Sequence, residues 1–454
     1  MKLIRKWFRE NQNHIVRTAK IAWPAVLESF FVAFVGIVDS MMVSRLGEYA
    51  VAAVGLTTQP KFIGLAVFIA TNVAVSALVA RRRGEDDREG AGRVLLTALV
   101  VVITLGIVIS LLCVWLADPI IHFAGSEADT HESAVAYFRI IMGGMMFNII
   151  SLAINAAQRG SGNTKIALRT NLTSNIVNVC FNFLLIEGRF GFPAWGIRGA
   201  AIATVLGTVV ACTMSILSLF SKSSFVNVKF ILENKLRATK EAFKQIFNLA
   251  SSVFIEQILL RVGFMSVSVM AAKLGTRVFA AHQVGMNIMG LSFSFGDGMQ
   301  VAAVTLIGQS LGQKNAELAK RYGTICQRMG NLISVVLSVL YLLLGEWFFG
   351  MYFDEAQTIA IGVQIMRVMV LIVLMQVSQV IYMGCLRGAG DVKFTTVAST
   401  ISVTFIRPIA SYIFAYGLNF GVIGIWWGVV CDQICRLILT NWRFRSGKWT
   451  EIKI

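Results

Sequence analysis

The chain has 454 residues, of which 56% are hydrophobic and only 14% charged, with a formal net charge of +17. A mean hydropathy of +0.71 is that of a polytopic membrane protein and excludes an ordinary soluble domain. The positive charge does not indicate nucleic acid, because the Lys and Arg residues are spread between apolar runs and form no single patch.

The first twenty residues are basic and polar and contain no cleavable apolar core, so no secretory signal is expected and the first apolar run serves as its own insertion signal. Twelve runs follow, at about 20–44, 49–80, 94–117, 134–158, 166–187, 194–220, 248–272, 278–309, 322–345, 358–386, 394–416 and 420–441. Each is long enough to cross roughly 30 Å as a helix, which predicts an all-α membrane protein with twelve transmembrane helices. Thirty Lys and Arg lie in one alternating set of connecting segments and five in the other, so both termini are expected in the cytoplasm. The acidic loop after the third run, with Asp118, Glu127, Asp129 and Glu132, is then outside. The seven Cys form no C-x-x-C pair and the four His no cluster, so no cofactor, disulfide or zinc site is expected.

The first run contains two carboxylates, Glu28 and Asp39. A carboxylate at the bilayer centre costs about 2.5–3.5 kcal/mol on insertion scales, which makes each a functional candidate. Eleven residues apart, they return to within about 20° of one helix face, about 16 Å further along. Pro24 leaves the carbonyl of Lys20 without its helical donor.

This stretch recurs at a shift of 228. Arg45-Leu46-Gly47 becomes Lys273-Leu274-Gly275, Glu28 becomes Glu256, and Arg159-Gly160-Ser161-Gly162 becomes Arg387-Gly388-Ala389-Gly390. Asp39 becomes Val267. Six spans per half keep both halves in the same orientation, so the repeat is parallel and substrate is expected between the halves. The domains are thus a first lobe at 1–220, a basic cytoplasmic linker at 221–247, and a second lobe at 248–454 with a short basic tail.

In the fifth run Asn171, Asn175, Asn178 and Asn182 form one helical stripe, while the corresponding positions of the eleventh run are Ser399, Val403, Ile406 and Ala410. Amides in a span face protein or a watery cavity. Carboxylate and amide oxygens together can hold a proton or a hard cation such as Na⁺. In the second half Glu256, Gln257, Asn287, Asp297 and Gln376 are candidates for substrate or a second cation. Asp432 is expected to pair with Arg436 at i,i+4, and His282 to be a hydrogen-bonded packing residue. Phe30, Phe31, Phe34 and Met41 offer soft, aromatic contact to a cation.

Several motifs resemble the multidrug and toxic compound extrusion (MATE) transporters, closest to the NorM-like branch. They are Val38-Asp39-Ser40-Met41-Met42, Phe254-Ile255-Glu256, Ala280-Ala281-His282-Gln283-Val284, the Gly308–Gly312 and Arg387–Asp391 segments, and Asn182–Phe192. The resemblance implies two six-helix bundles around a V-shaped cleft, in a bacterial plasma membrane. It implies export of cationic or amphipathic drugs against inward H⁺ or Na⁺, with Asp39 the first-lobe cation carboxylate and Glu256 the second. Two positions depart from the pattern. Gln376 stands where NorM-like members carry an Asp, and Asn182 where the proton-coupled branch has one, so the coupling ion stays open.

The expected site is therefore Asp39, Asn175, Asn178 and Asn182 for the coupling ion, with Glu28, Glu256, Gln257, Asp297, Asn287 and Gln376 for substrate or a second cation. Na⁺, if bound, is expected at Asp39 or Glu256. Expected partners are small cationic compounds and the lipid bilayer, with no nucleic acid, and the chain is expected to act as a monomer. A lipid-linked oligosaccharide flippase is the alternative, but its anionic cargo calls for a basic cavity. A membrane-embedded enzyme would need a catalytic pair or metal cluster, and the sequence offers neither.

Overall fold

A computed structural model describes residues 2–452 except 127, 129, 222, 223 and 354, so Glu127 and Asp129 of the acidic loop lie outside the described residues. Among the described residues the chain is helical throughout, without strands. The helices are α1 (Lys2–Ser44), α2 (Glu48–Gly84), α3 (Arg88–Trp115), α4 (Ala117–Phe123), α5 (His131–Gly143), α6 (Met145–Gly160), α7 (Thr164–Leu185) and α8 (Gly196–Ser218). They continue with α9 (Val228–Glu233), α10 (Lys240–Lys273), α11 (Thr276–Gly312), α12 (Ala316–Gly350), α13 (Ala356–Gly388), α14 (Val392–Ser399), α15 (Arg407–Tyr412) and α16 (Gly421–Ser446).

Nine of the described helical segments are long and apolar enough to cross a membrane, or ten when α5 and α6, bent by 45° at Gly144, count as one span. The bend occurs where α6 packs on α8: a Cβ on Gly144 would lie 2.5 Å from Val205. The other two expected spans are α7 and α11, helices of 22 and 37 residues. At about 1.5 Å per residue both are long enough to cross, but their polar content lowers their hydropathy. The internal repeat is visible in the elements: α2 and α11 start and stop at the same offset, Glu48 to Thr276 and Gly84 to Gly312. The eleventh span is irregular, since π-turns at Thr400–Ile406 and Ile413–Gly417 flank α15, whose Pro408 cannot donate to the helical ladder.

The chain forms two compact units, Met1–Ser29 with Ser251–Ile454, and Phe30–Ala250. Their borders fall inside α1 and α10, whereas the sequence reading placed the division in the linker. The core of the Phe30–Ala250 unit includes Phe68, Ile121, Phe138, Met142 and Ile149. That of the other includes Met299, Ile365, Met369, Ile372 and Trp426, with Ile21 and Ala22 contributed by α1. Leu111, Trp115, Leu342 and Leu343 are exposed, as residues facing lipid are. Residues 224–247 of the linker are packed as well. Asn227 caps α9 through the amides of Lys229 and Phe230, and Arg88 stacks over Phe230 at 4.6 Å and donates to the Phe225 carbonyl at 3.2 Å.

Candidate functional site

In the Phe30–Ala250 unit, α7 and α8 approach closely enough to fix side chains between them. A Cβ on Gly207 would lie 2.8 Å from the Ser174 carbonyl, and the Ser174 hydroxyl donates to the Gly207 carbonyl at 2.7 Å. This contact sets Asn178 on α7 against Thr204 on α8, at 3.2 Å. One turn on, the Asn182 amide donates to Asp39 Oδ1 at 2.7 Å. The Asn178 amide nitrogen donates to Asp39 Oδ1 and Oδ2 at 2.7 and 3.1 Å, and its oxygen accepts from Thr204 Oγ1 and from the Thr204 backbone N–H, each at 3.2 Å. An ionised carboxylate accepts only, so two amide donors suit a charged Asp39.

The structure brings Asp39, Asn178 and Asn182 together. Asn175 is not tied in: its Nδ2 has no hydrogen-bond partner among the described residues, and neither has Asn182 Oδ1, which leaves a spare acceptor at the site. Thr204 and Lys61 were missed. Lys61, on α2, interacts electrostatically with Asp39 without forming an ion pair among the described residues. A lone Lys inside an apolar run is the signal that could have found it. Phe30, Phe31 and Phe34 form a contiguous aromatic face, with centroids 5.7 and 6.3 Å apart, and Phe34 and Met41 are exposed.

In the other unit Glu256 is 1% exposed. Arg387 Nη2 donates to its two carboxylate oxygens at 2.8 and 2.9 Å. The sequence reading gave Glu256 a free charge and counted Arg387 as a topology signal. The structure pairs them, because a carboxylate this buried needs a counter-charge. Asp297 joins the same group: Gln300 donates to it at 3.0 Å and accepts from Arg387 at 3.5 Å, and Ser29 donates to its other oxygen at 3.4 Å. Glu28 is buried, Gln257 half-buried and Asn287 exposed. Gln376 is buried with its Oε1 unpartnered among the described residues.

Asp432 pairs with Arg436 as expected, at 2.8 Å, and additionally with Arg407, whose Nε lies at 3.1 Å and whose guanidinium stacks on Phe264. His282 packs edge-on against Trp426, ring centroids 5.6 Å apart. Neither of its ring nitrogens has a hydrogen-bond partner among the described residues, so it packs without the bonds expected of it. No group of three His, Cys, Asp or Glu could hold a metal ion among the described residues.

At the ends of α1 and α7, Glu187 accepts from Arg189 at 2.7 Å and from Arg45 at 3.4 Å. The hydrogen bond from Arg189, then its charge and those of Arg45, hold the Glu187 carboxyl below the ordinary glutamate range.

The MatE family model matches residues 24–184 and again 252–413. The chain is 27% identical over 435 residues to a probable multidrug resistance protein NorM of Thermotoga maritima, covering 95% of this chain and 92% of the relative. It is 24% identical over 433 residues to the uncharacterized transporter YisQ of Bacillus subtilis, covering 95% and 94%. Among solved structures, the fold matches an outward-facing multidrug resistance MATE family transporter with a TM-score of 0.89 at 20% identity, covering 95% of this chain and 96% of that one. A transporter of the same superfamily from Pyrococcus furiosus, whose binding pocket is described as having reversed polarity, matches with a TM-score of 0.88, the same identity and the same coverage. With the model matching both halves, the chain belongs to the MatE family of multi-pass membrane transporters.

Proposed function

We propose that this protein is a secondary active exporter in a bacterial plasma membrane, with cytoplasmic termini, that moves cationic, amphipathic compounds outward in exchange for inward H⁺ or Na⁺ by alternating access. The observation that carries this reading is the Asp39 carboxylate held by two amides, Asn182 at 2.7 Å and Asn178 at 2.7 and 3.1 Å. Neutral donors hold the carboxylate in place without cancelling its charge, so an arriving ion or drug cation still meets a negative group. The corresponding second-half positions, Val267, Ile406 and Ala410, cannot do this.

The coupling step follows from these groups. When Asp39 is neutralised by a proton, the amide bonds it accepts weaken and the carboxyl no longer attracts a bound cation. Na⁺ would act through the same carboxylate, with amide oxygens completing its shell. One charge crossing 100 mV supplies about 2.3 kcal/mol. At about 1.4 kcal/mol per tenfold this sustains a gradient of about 50-fold for each net charge moved inward. One-for-one exchange with a monovalent drug cation moves no net charge and draws on the ion gradient alone.

Accumulation of a cationic dye in cells, with and without an uncoupler, tests the reading. The protein is expected to lower dye accumulation, and the uncoupler to abolish the effect. Unchanged dye levels combined with transfer of lipid-linked glycans would support the flippase reading instead.

A further inference from the structure

We propose that Arg387 is a tethered cation that fills the second carboxylate site, so that Glu256 takes up neither coupling ion nor cationic drug while the pair is closed. The inference rests on the exporter reading above and names the residue that confines its ion coupling to Asp39.

Three observations carry it. The first is charge. Arg387 places a full positive charge against both oxygens of Glu256, and the side chains are 11% and 2% exposed. A second cation at that carboxylate would have to displace the guanidinium or sit beside it, in a region too dry to screen two like charges. Asp39 is held by amides, which leave its charge available.

The second is permanence. A guanidinium does not deprotonate in proteins, so the tethered group stays a cation. The tether also gives Arg387 a local concentration that an ion from solution must exceed.

The third is positioning. The last turn of α13 lies so close to α11 that a Cβ on Gly388 would be 2.6 Å from the Val304 carbonyl, and one on Gly384 would be 2.8 Å from that of Gln300. Those two glycines set the backbone from which Arg387 reaches α10. Gln300 holds a second nitrogen of the guanidinium at 3.5 Å and is itself bonded to Asp297. Arg387 is thus locked onto Glu256 from the α11 side.

The test is equilibrium binding of guanidinium and of Na⁺, at millimolar concentrations, to the purified full-length protein carrying Asp39→Asn. In that background, adding Glu256→Gln should leave binding of both ions unchanged, because the removed charge was already cancelled. Adding Arg387→Ala empties a guanidinium-sized place beside a bare carboxylate, and guanidinium should then bind about tenfold tighter or better. Glu256→Gln in the same protein should remove the gain, and Arg387→Lys, which restores a tethered cation, should not show it. A merely structural arginine would give no gain that depends on Glu256. The proposal is overturned if Glu256→Gln alone weakens ion binding about tenfold, or if folded Arg387→Ala protein binds guanidinium no tighter than its parent. Should Arg387→Ala fail to fold, the Glu256→Gln comparison decides by itself. Binding is read without transport, so a failure of the exporter reading would register in dye efflux and not here.

Discussion

Asn182 on α7 donates to Asp39 on α1 at 2.7 Å, joining residues 143 positions apart in sequence. Asn178, one turn earlier, donates to the same carboxylate and accepts from Thr204, so Asp39 on α1 is tied through α7 to α8.

Removing one donor should weaken coupling without unfolding the protein. A hydrogen bond to a charged group is worth about 1.5–3 kcal/mol. Asn182→Ala is therefore expected to cut ion-driven export by about tenfold to a hundredfold, with Asn178→Ala comparable. The check is dye efflux at matched expression. Wild-type export by Asn182→Ala would make the stripe simple interhelical glue.

Gly207 sets the α7–α8 spacing, and any side chain there meets the Ser174 backbone. Gly207→Ala should cost about 1–3 kcal/mol through strain and lower the melting temperature together with export. Gly36→Ala, where a Cβ meets nothing within 4 Å, is the matched change on α1. Equal effects of the two would refute the packing argument.

Asp432 holds two guanidinium groups, is itself fully buried, and also accepts from the Gln433 amide at 3.5 Å. Asp432→Asn leaves the buried Arg407 and the half-buried Arg436 without a carboxylate, a change typically costing about 3–5 kcal/mol. The variant should aggregate or melt well below wild type, as scanning fluorimetry would record. An unchanged melting point would mean that the triad is solvated in the working protein.

Glu187 gives a prediction in pH. Its folded-state pKa is depressed below the ordinary glutamate value of 4.5 by Arg189 and Arg45. A depressed carboxyl contributes stability that is complete above the unfolded value and is lost as pH falls through the folded one. The difference in melting temperature between wild type and Glu187→Gln should thus be constant around neutrality and shrink only below about pH 4.5. A difference that grows on acidification would contradict the assignment.

The spans were legible because a bilayer demands about twenty apolar residues per helix, and the amide stripe because α7 keeps its 3.6-residue period from Asn171 to Asn182. Periodicity gives a face but not its partner. Arg387 read as one more cytoplasmic charge, since nothing local marks a contact with Glu256, 131 residues away. Thr204 looked like any small residue of an apolar helix. The π-turns around α15 were hidden for a similar reason: Pro408 announces a missing donor but not how the backbone absorbs it. The division of α1 at Ser29 is a property of packing, which composition does not carry.

The central claim is that Asp39 couples ion entry to drug release, and drug efflux from proteoliposomes under an imposed H⁺ or Na⁺ gradient tests it most directly. Wild type should export with one of the two gradients and stop when that gradient is collapsed. Asp39→Asn, an isostere, should fold and reconstitute like wild type yet export nothing under either ion. Export by Asp39→Asn at the wild-type rate would contradict the account and place the coupling group elsewhere.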